Sequence, residues 1–137
     1  RDEELDYGIA LLLAGERALM KAAGEIARSF DLPMLAARTL ITIRFQPGQT
    51  VNRLREQLDA TTPTFARIIA DLEKQGLIER RRSEQGDRRT RQLFLTHDGN
   101  RMTDPATIAM RNRLRQAYRT AGSGAVGGAR AVLEALL

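Results

Sequence analysis

The stretch Asp71-Leu72-Glu73-Lys74-Gln75-Gly76-Leu77-Ile78-Glu79-Arg80-Arg81-Arg82, the polar run 83–90 and the segment Arg91-Gln92-Leu93-Phe94-Leu95-Thr96-His97-Asp98-Gly99 change periodicity twice. Before Gly76, Phe65, Ile68, Ile69 and Leu72 recur at helical spacing, and Gly76 stands where a glycine ends a helix. After it, residues 77–82 and 91–95 read as two strands, joined by a bridge in which Gly86 and Asp87 supply turn chemistry. Thr96 then caps a further helix that begins near His97.

Working upstream, Thr62 with Pro63 at the first helical position reads as the capped start of the helix that Gly76 ends. Ahead of it, Thr50 caps a shorter helix with Val51, Leu54 and Leu58 turned inward, and Ala60-Thr61-Thr62 makes the break between the two. Two short helices across a tight break have helix-turn-helix proportions, and the basic hairpin adds a wing. Earlier still, Pro33 suits the first turn of a helix carrying Met34, Leu35, Leu40, Ile41 and Ile43, which Gln46-Pro47-Gly48-Gln49 stops. From Leu5, an apolar seam of Leu5, Ile9, Leu12, Leu19, Ala23, Ile26 and Phe30, interrupted at Glu16, predicts a helix of about seven turns that packs on another long helix, in this chain or a second copy. Downstream, Met102, Ala106, Ala109, Met110, Leu114 and Ala117 mark an inner helical face. Pro105 should kink or split it, with Asp104 capping the second piece. Residues 121–124 read as a hinge and 125–137 as a last helix, weakened by Gly127 and Gly128 and held by packing on a partner.

The chain has 137 residues, 42% hydrophobic, a single-domain length that can bury one core. With no Cys and one His, it has no disulfide scaffold, no thiol switch and no Cys-based metal site. His97 and Asp98 lack a nucleophile, a second base or a phosphate loop, so no catalytic constellation survives and an enzyme is not expected. No apolar run approaches the ~20 residues of a membrane span, and no charged start precedes an apolar core as in a secretory leader. The expectation is a cytoplasmic protein, although a start at Arg1 rather than Met leaves a removed leader open.

The net charge of +5 is unevenly spread. Residues 1–31 hold four basic and seven acidic side chains, whereas 80–119 hold eleven basic against four acidic. Six arginines fall between residues 80 and 91, a density at which like charges repel unless a polyanion relieves them. Codon usage in a GC-rich genome could account for the excess of Arg over Lys, but not for this clustering. A polar, exposed helix start can present its first turn to a major groove, where the dipole and free N–H groups favour phosphate. Thr62, Thr64 and Arg67 lie on that turn and a half, away from Phe65, Ile68 and Ile69. Arg67 suits a guanine edge or a phosphate, and the threonines also suit simple capping. In the hairpin, Arg88 at the tip is the candidate for insertion into a narrow minor groove. Arg80, Arg81 and Arg82 divide between DNA and a solvated face, because alternation turns some of them away.

The runs 72–80, Asp87-Arg88-Arg89 and Leu95-Thr96-His97-Asp98-Gly99, in this order and spacing, resemble the MarR family of bacterial transcriptional regulators. The resemblance is close over residues 47–101. It implies a mainly α fold with a small β-hairpin wing, a winged helix-turn-helix dimerised through its N- and C-terminal helices. Residues 1–137 would then form one domain, with 1–31 and 100–137 as dimerisation helices and 32–99 as the DNA-binding lobe. It also implies that Asp87 braces Arg89 for contact with the backbone or groove. Double-stranded DNA with a pseudo-palindromic operator and a second copy of the chain are the expected partners, with the protein associated with a bacterial nucleoid. The family further implies repression relieved by a small-molecule effector, with no cofactor and no metal. A winged-helix interaction module, or a non-specific architectural DNA-binding protein, is the competing reading.

Overall fold

A computed structural model describes residues 1–137 with the exception of Gln85, Asp87 and Arg88. The elements run α1 (Asp2–Ser29), α2 (Met34–Phe45), β1 (Gln49–Thr50), α3 (Val51–Gln57), α4 (Thr62–Lys74), β2 (Ile78–Arg82), β3 (Arg91–Leu95), α5 (His97–Ala121) and α6 (Ser123–Leu136). The fold is mainly helical, with a small antiparallel sheet in the order β1-β3-β2. Ile78 pairs with Leu95 and Arg82 with Arg91, so the two strands expected from the sequence form the hairpin. A third strand joins them, with Gln49 opposite Leu93 and Thr50 opposite Gln92. Two residues have no detectable period, so β1 carries no signature of its own.

Three chain reversals follow the same rule. At Asp31, Asp59 and Gly76 the backbone takes a positive φ of 50°, 51° and 73°. At each, the following residue's N–H reaches back five residues: Leu32 to Ala27, Ala60 to Arg55 and Leu77 to Leu72. These are helix ends closed by a left-handed residue, which satisfies carbonyls that the helix itself leaves open. Gly76 fills this position without the steric cost of a Cβ.

The main core gathers Leu40, Ile43, Leu54, Phe65, Ile69, Leu72, Leu77 and Leu93 from α2, α3, α4 and the sheet. A second cluster of Ala23, Ile26, Ala37, Ile41 and Ala106 joins α1, α2 and α5. Helix α2 is the wall between them, contributing one face to each. Thr96 Oγ1 accepts from the Gly99 N–H at 3.1 Å and donates to the Gly76 carbonyl at 2.6 Å, tying the start of α5 to the end of α4. Thr50 likewise accepts from the Arg53 N–H at 3.2 Å, as its place before α3 predicts.

Several expectations are corrected. The N-cap of α4 is Thr61, with Thr62 already helical and Pro63 one place further in. Adjacent threonines are equally good caps, and Pro is tolerated throughout the first turn, so the local pattern is degenerate by one residue. Pro105 does not split α5, which runs unbroken through it. Asp104 therefore caps no second piece and pairs instead with Arg44. Pro33 precedes α2 instead of lying in its first turn, and the last helix starts at Ser123. Unlike these, the apolar seam of α1 is in keeping with a helix that packs partly on a second copy: it is buried within the chain only at Ala23 and Ile26, while Leu5 is 64% exposed, and Ile9, Leu12 and Phe30 are also exposed. Helix α6 has no buried residue, and its Val132, Leu133 and Leu136 face solvent.

Candidate nucleic-acid interface

Helix α4 is held from one side only. Phe65, Ile68, Ile69 and Leu72 are buried, while Thr62, Pro63, Thr64, Ala66, Arg67, Ala70 and Lys74 are exposed. The exposed residues start at the N-terminus and run along the side opposite the core, with Arg67 in their midst. Ala66 and Ala70 keep that side slim, so that a large rigid surface can approach the backbone. Sequence reasoning passed over both, because alanine on an exposed helical face reads only as helix propensity. At the N-terminus the Thr61 side chain makes no capping bond, and Pro63 has no N–H. The first intrahelical acceptor is the Thr61 carbonyl, taken by the Phe65 N–H at 2.9 Å. The N–H groups of Thr62 and Thr64 thus precede the first helical bond and sit at the positive end of the helix dipole.

The turn from α3 into α4 is fixed by Arg55. Its Nη1 donates to the Ala60 carbonyl at 3.3 Å, while Nε and Nη2 both donate to Asn52 Oδ1 at 3.4 Å. This cationic side chain of α3 is thereby occupied with shaping the turn. Arg53 on the same helix is exposed, beside exposed Asn52 and Gln57.

The wing arginines are not equivalent. Arg80 donates from Nε and Nη2 to Glu73 Oε1 at 3.0 and 2.8 Å, which ties β2 back to α4. Arg81 pairs with Glu79 on its own strand and lies over the Phe94 ring, 4.3 Å from its centroid. Two of the three consecutive arginines therefore have carboxylate partners, on opposite faces of the strand: Arg80 reaches Glu73 on α4, and Arg81 reaches Glu79 two residues back on its own face. Arg82 is exposed and makes no ion pair among the described residues. Arg89 is described and exposed, with an intramolecular partner. Asp87 and Arg88, expected as wing support and groove contact, lie outside the described residues.

Beyond Arg101, the helix after the wing carries its arginines away from this surface. Arg111 lies fourteen residues beyond His97, about 21 Å along α5 at the usual helical rise, and Arg119 about 33 Å. Arg113 borders α1, beside Ala18 and Lys21. Apart from Arg101, which is exposed near the start of α5, the basic residues of 80–119 therefore belong to two separate regions, the wing and the far half of α5, which the linear sequence merges. His97 is exposed. Among the described residues, no cluster of three or more His, Cys, Asp or Glu could hold a metal, and no helix is long and apolar enough to cross a membrane.

A sequence model of the MarR family matches residues 30–90. The chain is similar to the HTH-type transcriptional regulator PetP of Rhodobacter capsulatus, with 35% identity over 136 residues, covering 99% of this chain and 81% of the relative. Among solved structures it resembles NadR in complex with 4-hydroxyphenylacetate, with 22% identity, a TM-score of 0.72 and coverage of 93% of this chain and 89% of that one. It also resembles a MepR variant from S. aureus bound to an oligodeoxyribonucleotide, with 20% identity, a TM-score of 0.58 and coverage of 95% and 94%. At these identities the two structures speak for the fold, which is the winged helix-turn-helix built above. With a relative of this similarity along the whole chain, the protein belongs to the MarR family, whose members are DNA-binding transcriptional regulators and not enzymes.

Proposed function

We propose that the chain acts as a homodimer that recognises a pseudo-palindromic operator and represses transcription until a small molecule binds. The observation that carries this reading is the outer side of α4, where Thr62, Thr64 and Arg67 stand exposed beside two alanines at a free helix start. In the major groove, Arg67 would reach a guanine edge or a phosphate, and the threonines and alanines would meet thymine methyls and backbone. Arg88 and Arg89 would follow the adjacent minor groove or backbone, with Asp87 bracing Arg89. Residues 32–99 would form the DNA-binding lobe, and 1–31 with 100–137 the dimer helices.

Support for an effector comes from a cavity of about 420 Å³ between α1 and α5. Phe30, Met102 and Met110 give it an apolar lining, and Lys21 and Arg113 outnumber the one carboxylate on its wall, Glu25. Such a site suits a small amphipathic anion, the class to which the 4-hydroxyphenylacetate held by NadR belongs.

The test is a mobility-shift titration of the protein against its own upstream DNA and against random duplex of equal length. A specific regulator shows a strong preference for the former and a steep loss of affinity with salt, because each neutralised phosphate releases about one counterion. Equal affinity for both duplexes would favour an architectural DNA-binding protein. No binding to either, with capture of a protein partner that survives nuclease, would favour an interaction module.

A further inference from the structure

Helix α5 is continuous, yet it serves two bodies. Its first turn closes the lobe that carries α4, with Gly99 lodged against the Leu77 carbonyl and Thr96 bonded to Gly76. Its middle turns pack on α1 through Ala106 and Met110. Between them stands Pro105, which has no N–H to offer the carbonyl of Arg101, so the helix is weakest there.

The turn just before that point is gripped from outside. Arg44, near the C-terminal end of α2, directs Nη1 at the Asn100 carbonyl (3.0 Å), Asn100 Oδ1 (3.2 Å), Thr103 Oγ1 (3.2 Å) and Asp104 Oδ1 (2.9 Å). Two hydrogens shared among four acceptors make a pinned guanidinium rather than a swinging surface charge, and the side chain is only 19% exposed. On the other side of the same stretch of α5, Met102, Pro105 and Ala106 border the cavity against α1. Beyond Arg44, Gln46 continues the connection, accepting from Gln57 Nε2 at 2.9 Å and so joining the end of α2 to α3.

We propose that Arg44 is a positioning residue for operator recognition. It sets the angle at which the α4 lobe is carried on α5, and in a dimer that angle sets the separation of the two recognition helices. Operator selectivity then depends on a residue remote from the DNA-facing side of α4. This inference rests on the dimer and palindrome reading above. Its physical basis is that a two-fold site rewards two lobes only when their spacing matches the DNA turn, whereas one half-site is indifferent to it.

The experiment uses the full chain. Wild-type protein selects a duplex from a randomised library, and affinity is measured for that duplex and for a version with one half scrambled. Arg44→Ala should lower the ratio of full-site to half-site affinity by about tenfold or more, with half-site affinity and its salt slope unchanged. Arg44→Lys, which keeps a charge for Asp104 but on a shorter side chain with a different donor geometry, should recover part of the ratio. Asp104→Asn and Asn100→Ala give the same readout with milder change and decide the matter if Arg44→Ala fails to fold. An unchanged ratio in folded variants overturns the inference, as does an equal loss on both duplexes. A wild-type protein that itself fails to prefer the full site defeats the palindrome reading and this inference together, an outcome distinct from a preference that survives loss of Arg44.

Discussion

A Cβ added at Gly99 would lie 2.1 Å from the Leu77 carbonyl oxygen and 3.3 Å from Leu95 Cβ, atoms of the backbone and core that cannot step aside. The glycine is there because the first turn of α5 must touch the strand entry after Gly76. Gly99→Ala should therefore destabilise the protein by roughly 2 kcal/mol or more, read as a lowered urea midpoint. Thr96→Ala removes both the cap on Gly99 and the bond to Gly76, and should cost about 1–2 kcal/mol in the same measurement. Among the arginines of the proposed DNA-binding surface, the division is by whether a carboxylate already holds them. Arg67→Ala should weaken operator binding by roughly 1–3 kcal/mol. Arg80→Ala and Arg81→Ala should each cost less, because Glu73 and Glu79 already offset their charge. Fluorescence anisotropy titrations would decide, and a larger loss at Arg80 than at Arg67 would refute the ordering.

At the scale of elements, the parts that sequence reveals are those with local causes. The paired α3 and α4, the Gly76 stop, the hairpin and the Thr50 and Thr96 caps each depend on residues within a turn or two of one another. The parts it conceals depend on contacts from elsewhere. The two-residue β1 exists only because β3 lies beside it. Arg44 meets partners 56 to 60 residues away, so no spacing announces it. The outer side of α4 was legible at Thr62, Thr64 and Arg67, whereas the pairing of Arg80 with Glu73 and the alanines beside Arg67 needed the fold. Pro105 shows why propensity misleads: the loss of one helical bond is outweighed by packing of Ala106 against α1 and α2 and by the grip of Arg44 on Asp104. If that balance is right, Pro105→Ala should raise stability by about 1–3 kcal/mol, because packing is kept and the missing N–H returns. A thermal midpoint that falls in this variant would show that the proline relieves a bend the helix needs.

For the whole molecule, surface area argues that one chain is incomplete. The chain exposes 9832 Å² at a mass of 15.3 kDa, whereas a compact monomer of that mass exposes about 7,100 Å². Apolar side chains without cover accompany this excess: Leu5, Ile9, Leu12 and Leu13 on α1, Ile108 and Leu114 on α5, and Val132, Leu133 and Leu136 on α6. Joining two copies through an excess of about 2,700 Å² each would bury an area at the upper end of obligate interfaces. An interface of that size couples folding to association, so stability should depend on protein concentration. The expected particle in sedimentation equilibrium has twice the chain mass, with a Tm that rises as the protein is concentrated. Ile9→Glu or Leu133→Glu, each placing a carboxylate in the apolar contact, should convert the particle to monomer, lower its Tm and abolish the preference for a two-half-site duplex. A wild-type Tm independent of concentration, in a particle of single-chain mass, would mean that the exposed apolar helices serve another partner.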